Sequence, residues 1–332
     1  MKFLNKQRSV FERVFLCIKE RRLPNIVENL LFSTKRKLGI AKYKSIVVET
    51  SSLCNVRCVW CWMYYFNKKE IGLMTLENFK KFIDINEKYL RKSNTKITPF
   101  NRGEPLIHPN FFEMIDYGRK KRIEFSGINT NLSVKIDTKK LMSLPLSFIL
   151  VNIGGTTKEI HEKIMKGSKF DLVVNNLRQM LRINNTKVYL KMNVTKDNVH
   201  QIKELNSFFK SLGGDKKNII TGSLGFSLPE LASEKERKEF LKNTVSDDIR
   251  DFLRFYYDKK GNIISQQKNC LFLVPTVNWD GKTTICCHDL LNKLDLGNAF
   301  EKPLLEIFNS KKFIDAETKG KNQEFYFCKN CN

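Results

Sequence analysis

Three cysteines stand within eight residues, Cys54-Asn55-Val56-Arg57-Cys58-Val59-Trp60-Cys61, directly after the apolar run Ile46-Val47-Val48. The run reads as a short buried strand, so the cysteines fall on the loop at its C-terminal end. Thiolates so closely spaced can turn inward onto one metal centre, and three ligands on a four-iron cluster leave one iron open for another ligand. Zinc is the rival reading. Its loops usually space the first pair by two to four residues and complete a tetrahedral set of four, and no fourth Cys or His stands nearby.

From Tyr43 onward, short apolar runs alternate with amphipathic patterns, the mark of a parallel sheet with helical crossovers. Strands are predicted at Ile46–Val48, Lys96–Phe100, Ile123–Phe125, Phe148–Val151, Val188–Met192 and Ile219–Ile220. Helical spacing predicts a helix started by Thr75, another opened by Asn110 with Glu113 as its cap partner, and two more carrying Phe170–Leu181 and Ile202–Phe209. Six strand–helix units in about 180 residues suggest an α/β fold, a partial (β/α)6 TIM-like barrel rather than a closed eightfold one. Active sites of such barrels lie at the C-terminal ends of the strands. By this register the cysteine loop, Glu104, Asn131, Asn152 and Asn193 all fall there. His108, His161 and His200 show no ligand spacing and read as structural or surface residues. Beyond the strands, Ser233 with Glu236 predicts another capped helix.

Composition narrows the class. With 41% hydrophobic and 28% charged residues, the chain reads as globular. No apolar run approaches a membrane span, and the N-terminus lacks the apolar core of a signal peptide. Nine unevenly clustered cysteines therefore fit metal ligation in a reducing cytoplasm better than disulfides, with Cys17, alone on a helical face, a buried thiol. The net charge of +24 is expected to be mostly a solvated surface. Residues 1–42 differ, with eleven Lys/Arg against three Glu between apolar stripes such as Phe11, Val14, Phe15 and Ile18. A helical collar on the main domain is expected there, with peripheral contact to an anionic membrane as the other use. Neither an aromatic-interleaved basic stripe nor a recognition helix supports nucleic-acid binding, so a zinc-stabilised nucleic-acid-binding protein is a minor rival.

Cys54, Cys58 and Cys61, with Trp60 before the third and Glu49-Thr50-Ser51-Ser52-Leu53 leading in, resemble the signature loop of the radical S-adenosylmethionine (radical SAM) enzymes. Gly103-Glu104-Pro105 is similar to that family's G-G-E-P segment, with Arg102 in place of the first glycine. Asn152-Ile153-Gly154-Gly155 is similar to its S-x-D-G turn, with Asn152 for the serine and Gly154 for the aspartate; Thr130-Asn131 is similar to its T-N segment. The resemblance implies a [4Fe–4S] cluster on Cys54, Cys58 and Cys61 whose open iron binds the amine and carboxylate of S-adenosylmethionine. It implies Glu104 at the amino group, with Trp60, Gly103, Asn131, Asn152 and Asn193 around the rest of that cofactor.

From Cys270 the character changes. Asp280-Gly281 between apolar strands signals a hairpin, so Cys270 and Cys286 can meet across paired strands, and Cys328 and Cys331 can close an S4 site. Zinc fits those four ligands too. Cys270, Gly281 and Cys286, followed by Leu296-Gly297-Asn298 and Leu304–Phe308, resemble the SPASM/twitch extension of radical SAM enzymes. That resemblance implies one auxiliary [4Fe–4S] cluster on Cys270, Cys286, Cys328 and Cys331, with Cys287 competing for the place of Cys286. The expected layout is a basic amphipathic helical segment (1–42), a radical SAM partial barrel (43–225), bridging helices (226–269) and an auxiliary-cluster domain (270–332). The implied activity is reductive cleavage of S-adenosylmethionine to a 5′-deoxyadenosyl radical that abstracts hydrogen from substrate. Oxidation of a sugar- or cyclitol-like small molecule, with the auxiliary cluster as electron acceptor, is the main expectation, and maturation of a peptide or protein side chain the alternative. The resemblance also implies a one-electron reductant such as flavodoxin or ferredoxin. A scaffold that lost turnover through Arg102 and Gly154 is a third reading.

Overall fold

The computed structural model describes residues 40–61, 71–222, 233–246, 248–249, 273–325 and 327–328, with a few shorter stretches besides. The N-terminal helical stripes, Cys17, Phe252–Phe255, Cys270, Cys331 and the side chains of Tyr256 and Tyr257 lie outside the described residues.

In chain order the elements are β1 (Ser45–Val48), β2 (Arg57–Cys58), α1 (Leu76–Ser93), β3 (Lys96–Thr98), α2 (Phe111–Lys120), β4 (Phe125–Thr130), α3 (Thr138–Met142), β5 (Leu146–Ile153), α4 (Lys158–Ile164) and β6 (Met165–Lys166). Then follow α5 (Phe170–Ile183), β7 (Lys187–Asn193), α6 (Leu205–Ser211), β8 (Ile219–Gly222), α7 (Glu234–Thr244), β9 (Tyr256–Tyr257), β10 (Ile263–Ile264), β11 (Thr276–Val277), β12 (Thr283–Thr284), α8 (Leu304–Asn309) and α9 (Lys311–Lys321). The six expected strands are all present as β1, β3, β4, β5, β7 and β8, parallel and adjacent in that order. They form an open barrel. Strand ends moved where polar residues continue a strand: Asn129, Asn152 and Asn193 belong to β4, β5 and β7 although their side chains break the apolar pattern.

Alternation along the strands explains this. Ile149, Val151 and Ile153 of β5, with Val188, Leu190 and Met192 of β7, join Phe79, Phe82 and Ile83 of α1 and Val173, Leu177 and Met180 of α5 in one core. The intervening Phe148, Leu150 and Asn152, and Tyr189, Lys191 and Asn193, point to the other face and are half-buried.

Caps set the helix starts. Thr75 accepts from the Asn78 N–H at α1, and Ser233 with Glu236 forms a full capping box at α7. The Asn110–Glu113 pair expected at α2 is not used: Asn110 makes no side-chain cap. Its own N–H instead donates to His108 Nδ1 at 3.1 Å, while His108 Nε2 lies 2.8 Å from the Met74 carbonyl. Burial lowers the pKa of His108, in keeping with a neutral ring that donates from one nitrogen and accepts at the other.

The hairpin expected at Asp280-Gly281 is present, with Gly281 at φ +88. It joins the main sheet: β11 pairs in parallel with β1, Val47 opposite Thr276 and Val48 opposite Val277, giving the order β12-β11-β1-β3-β4-β5-β7-β8. Without β11, β1 would be an edge strand. Its Val47 and Glu49 N–H groups are answered by the Pro275 and Val277 carbonyls, at 2.9 and 2.8 Å. Behind it, Phe308 of α8 and Phe313 of α9 pack edge-on or tilted around Tyr43, with Phe308 5.0 Å away. Among the described residues no helix is long and apolar enough to cross a membrane.

One buried side chain ties this C-terminal part to α1. Asn86 donates to the Phe82 carbonyl at 2.9 Å and accepts the Leu304 N–H at 2.7 Å. Asn86→Ala strands that buried N–H and is expected to cost about 1–3 kcal/mol, read as a lower midpoint in thermal unfolding with unchanged far-UV circular dichroism.

Candidate functional site

The cysteine loop is anchored at both ends. Glu49, Thr50, Ser51 and Ser52 leave β1 fully buried. Ser52 exchanges backbone and hydroxyl hydrogen bonds with Gly72, and Met74 N–H reaches the Thr50 carbonyl at 2.9 Å. Inside the loop, Cys61 N–H donates to the Cys58 carbonyl at 2.9 Å. β2 pairs antiparallel with β6, placing Cys58 opposite Met165. Val56 and Val59 are buried with Ile164 and Met165, and Cys54, Cys58 and Trp60 pack against that cluster. Backbone bonds and apolar packing both hold the loop.

Burial pushes the Cys54 thiol up to about 11 and raises Cys58 well above the ordinary thiol value, with the neighbouring Cys61 and Cys54 sulfurs raising Cys58 further. Two neighbouring thiols that resist ionisation belong to a set that a polynuclear cation stabilises as thiolates. The Asn131 Nδ2 amide lies 3.8 Å from Cys54 Sγ as a donor, which suits a ligating sulfur. Among the described residues no three His, Cys, Asp or Glu side chains gather tightly enough for a single metal ion. A four-iron cluster takes each thiolate on a different iron.

Gly103 explains how the next loop fits. A Cβ there would lie 2.3 Å from the Leu53 carbonyl oxygen and 2.6 Å from that of Ser51, so the loop after β3 runs backbone against backbone with the cysteine lead-in. Glu104 N–H then donates to the Leu53 carbonyl at 2.7 Å. The buried Glu104 carboxylate accepts from the Thr130 hydroxyl (2.7 Å), the Asn131 N–H (2.6 Å) and the Leu106 N–H (3.1 Å). Burial still pushes this carboxyl up to about 7, outweighing those three bonds.

Asn131 extends the network. Its amide donates to Asn55 Oδ1 at 2.9 Å and its oxygen accepts the Ser133 N–H at 2.8 Å; Asn55 in turn donates to the Ser133 carbonyl at 2.8 Å. Asn152 Nδ2 donates to Asn129 Oδ1 at 2.6 Å and reaches the Thr130 carbonyl at 3.5 Å. Asn193 is tied by its backbone: Asn198 Nδ2 bridges the Asn193 and Gly154 carbonyls at 2.9 and 2.8 Å. His161 is buried and structural, accepting the Gly154 N–H at 3.1 Å and bonded to Ser168 at 2.8 Å, its pKa lowered to about 4 by burial.

Cys54, Gly103, Glu104 and Asn131 thus share one hydrogen-bonded unit, with Asn152 beside it. Sequence reasoning missed Asn55, Asn129 and the ion pair between Glu49 and Arg102. An acidic residue ending an apolar strand was the available signal for the last. In the C-terminal part Cys286 and Cys328 are buried and Cys287 half-buried. Cys286 Sγ accepts the His288 N–H at 3.4 Å, and its thiol is raised first by the hydrogen bond to Cys287 and then by burial.

Comparison with known proteins gives two domain matches: the Radical SAM superfamily over residues 48–209 and the SPASM iron-sulfur cluster-binding domain over residues 270–332. A tungsten-containing aldehyde ferredoxin oxidoreductase cofactor-modifying protein of Pyrococcus furiosus is 24% identical over 333 residues, covering 87% of this chain and 87% of that protein. The fold resembles BtrN in complex with AdoMet and 2-DOIA (TM-score 0.54, 19% identity, 88% of this chain and 93% of that one). It also resembles anSMEcpe with bound AdoMet and Cp18Cys peptide (TM-score 0.56, 22% identity, 86% and 87%).

Glu104→Gln tests the unit directly. It sets an amide N–H2 against one of the donors, so a buried bond is lost at near-constant shape. The expected cost is about 1–3 kcal/mol, measured by chemical denaturation of the metal-free chain.

Proposed function

Because the chain belongs to the radical SAM superfamily and carries a SPASM domain at its C-terminal end, we propose that it cleaves S-adenosylmethionine reductively and abstracts hydrogen from a peptide or protein side chain. The observation that carries this reading is the unit in which the Cys54–Cys61 loop, Gly103-Glu104 and Asn131 are bonded together at the strand ends. Cys54, Cys58 and Cys61 hold the SAM-binding [4Fe–4S] cluster. When bound, cluster and cofactor supply the 5′-deoxyadenosyl radical. The chain's own residues bind and orient: Glu104 has one lone-pair site left for an ammonium, and the amides of Asn131, Asn152 and Asn193 suit carboxylate and ribose oxygens. Trp60 covers the apolar side of the loop.

Cys270, Cys286, Cys328 and Cys331 are the proposed ligands of the auxiliary [4Fe–4S] cluster. Cys286 is favoured over Cys287 because it is buried and its sulfur accepts a backbone N–H. A fully ligated cluster has no iron open to substrate, so electron transfer is its simplest role, with a flavodoxin- or ferredoxin-like protein as the external one-electron donor.

Two observations favour a peptide. The structurally similar anSMEcpe was solved with a bound peptide. β8 ends the sheet among the described strands with Ile220 and Thr221 exposed, leaving the barrel open at its side to an extended chain. The complex of BtrN with 2-DOIA supports the second reading, oxidation of a sugar- or cyclitol-like alcohol.

Anaerobically reconstituted protein is expected to hold iron and sulfide for two four-iron clusters and to form 5′-deoxyadenosine with dithionite and S-adenosylmethionine. Cys54→Ala, Cys58→Ala or Cys61→Ala is expected to abolish that product; zinc without sulfide would overturn the reading. Deuterium passing into 5′-deoxyadenosine from a side-chain-labelled peptide, rather than from a labelled cyclitol, decides the substrate class.

A further inference from the structure

Arg102 occupies the position just before Gly103-Glu104. Its side chain and that of Glu49 are both fully buried. Glu49 Oε1 accepts the Arg102 backbone N–H at 3.2 Å and Nε–H at 2.6 Å, and Oε2 accepts from one terminal nitrogen at 2.5 Å. The other terminal nitrogen donates to the Leu290 carbonyl at 2.9 Å, 188 residues away in the chain.

Leu290 belongs to the loop that begins at Cys286, and that loop braces itself. Asp289 N–H donates to the Cys286 carbonyl at 3.1 Å. The Asp289 carboxylate accepts from Thr284 (3.1 Å), Lys293 N–H (3.2 Å) and Leu294 N–H (2.9 Å). Arg102 therefore grips a preformed loop four residues after Cys286.

A buried ion pair returns little net stability, because desolvation offsets the attraction. A lysine could answer Glu49 as a charge. Only the planar guanidinium can hold a carboxylate bidentately and still present an N–H to a carbonyl from another segment. What arginine adds here is the third partner.

We propose that Arg102 is a positioning residue that seats the Cys286 loop on the Cys54–Cys61 half of the molecule, fixing how the auxiliary-cluster site stands relative to the SAM site. The proposal rests on the reading of both cysteine sets as cluster ligands. Through Glu49 it is rooted at the end of β1, five residues before Cys54; through its own backbone it is continuous with Gly103-Glu104. One buried fork thereby joins three segments that belong to the two sites.

Two variants test it. Arg102→Lys keeps a charge beside Glu49 but cannot also hold Leu290. The double variant Arg102→Met with Glu49→Gln leaves no buried carboxylate unpaired. In hydrogen exchange, the amides of Asp289, Asn292, Lys293 and Leu294 are expected to exchange roughly ten- to a hundredfold faster in both variants, the scale of one lost bond from a charged donor. The amides of β4 and β5 should stay at parent rates. In a background carrying Cys54→Ala, Cys58→Ala and Cys61→Ala, the paramagnetic resonance spectrum and midpoint potential of the auxiliary cluster should move with either Arg102 change, since solvent access and hydrogen bonding set both.

Parent exchange rates over residues 286–294 in folded variants would overturn the seating. So would faster exchange with an unmoved spectrum and potential, which would make Arg102 merely structural. Loss of β4 and β5 protection in both variants would overturn a local role. Iron and sulfide analysis of the parent protein judges the premise separately: with no auxiliary cluster that reading falls, and exchange alone still decides whether Arg102 holds the loop.

Discussion

Parallel strands all end on the same side, so their loops deliver unpaired backbone donors to one place. Two buried carboxylates answer them here. Glu49 ends β1 and takes the N–H of Arg102 from the loop after β3. Glu104, from that same loop, takes the N–H of Asn131 at the end of β4. With the Glu104 N–H on the Leu53 carbonyl and the Asn131 amide on Asn55, these acceptors hold the loops after β1, β3 and β4 together.

The two carboxylates are satisfied in different ways, and the difference is chemical. Glu49 has a guanidinium of its own. Among the described residues the donors to Glu104 are neutral, two backbone N–H groups and a hydroxyl, and burial pushes its carboxyl up to about 7. In a chain of net charge +24 that is an unusual restraint. Among the described residues no side-chain cation bonds this buried acid, and an ammonium from a ligand would lower its pKa and bind the more tightly for it. The raised thiols of Cys54 and Cys58 lean the same way, toward cationic partners.

The sequence made the strands and the position of the cysteine loop legible because both are local. Ile46–Val48 followed by three cysteines needs no tertiary information, and neither does the alternation in β5 and β7. What stayed hidden was pairing across the chain. Nothing in the run Cys286–Leu290 announces that its carbonyl meets Arg102, and nothing in Thr276–Val277 announces that it pairs with β1. Asn110 shows the reverse error. It carries the right residue type for a cap, yet a neighbouring histidine ring took its N–H, because His108 was already fixed by the Met74 carbonyl. Local propensity loses where tertiary bonds are made first.

Arg102 and Gly154 depart from the family pattern they otherwise follow, and each departure carries its own compensation. A Cβ at Gly154 would lie 2.8 Å from the His161 carbonyl oxygen, so an aspartate has no room there. The turn is held instead by His161 accepting the Gly154 N–H and by Asn198 bridging to Asn193. At the other position an arginine replaces a glycine without distorting the loop, because Glu49 receives both its backbone and its side chain. A site drifting toward disuse would show lost partners at such places. Here the buried groups at both positions are bonded, and the bonds reach toward Asn193 and toward the Cys286 loop, so the changes read as a site rebuilt for a different neighbour rather than one abandoned.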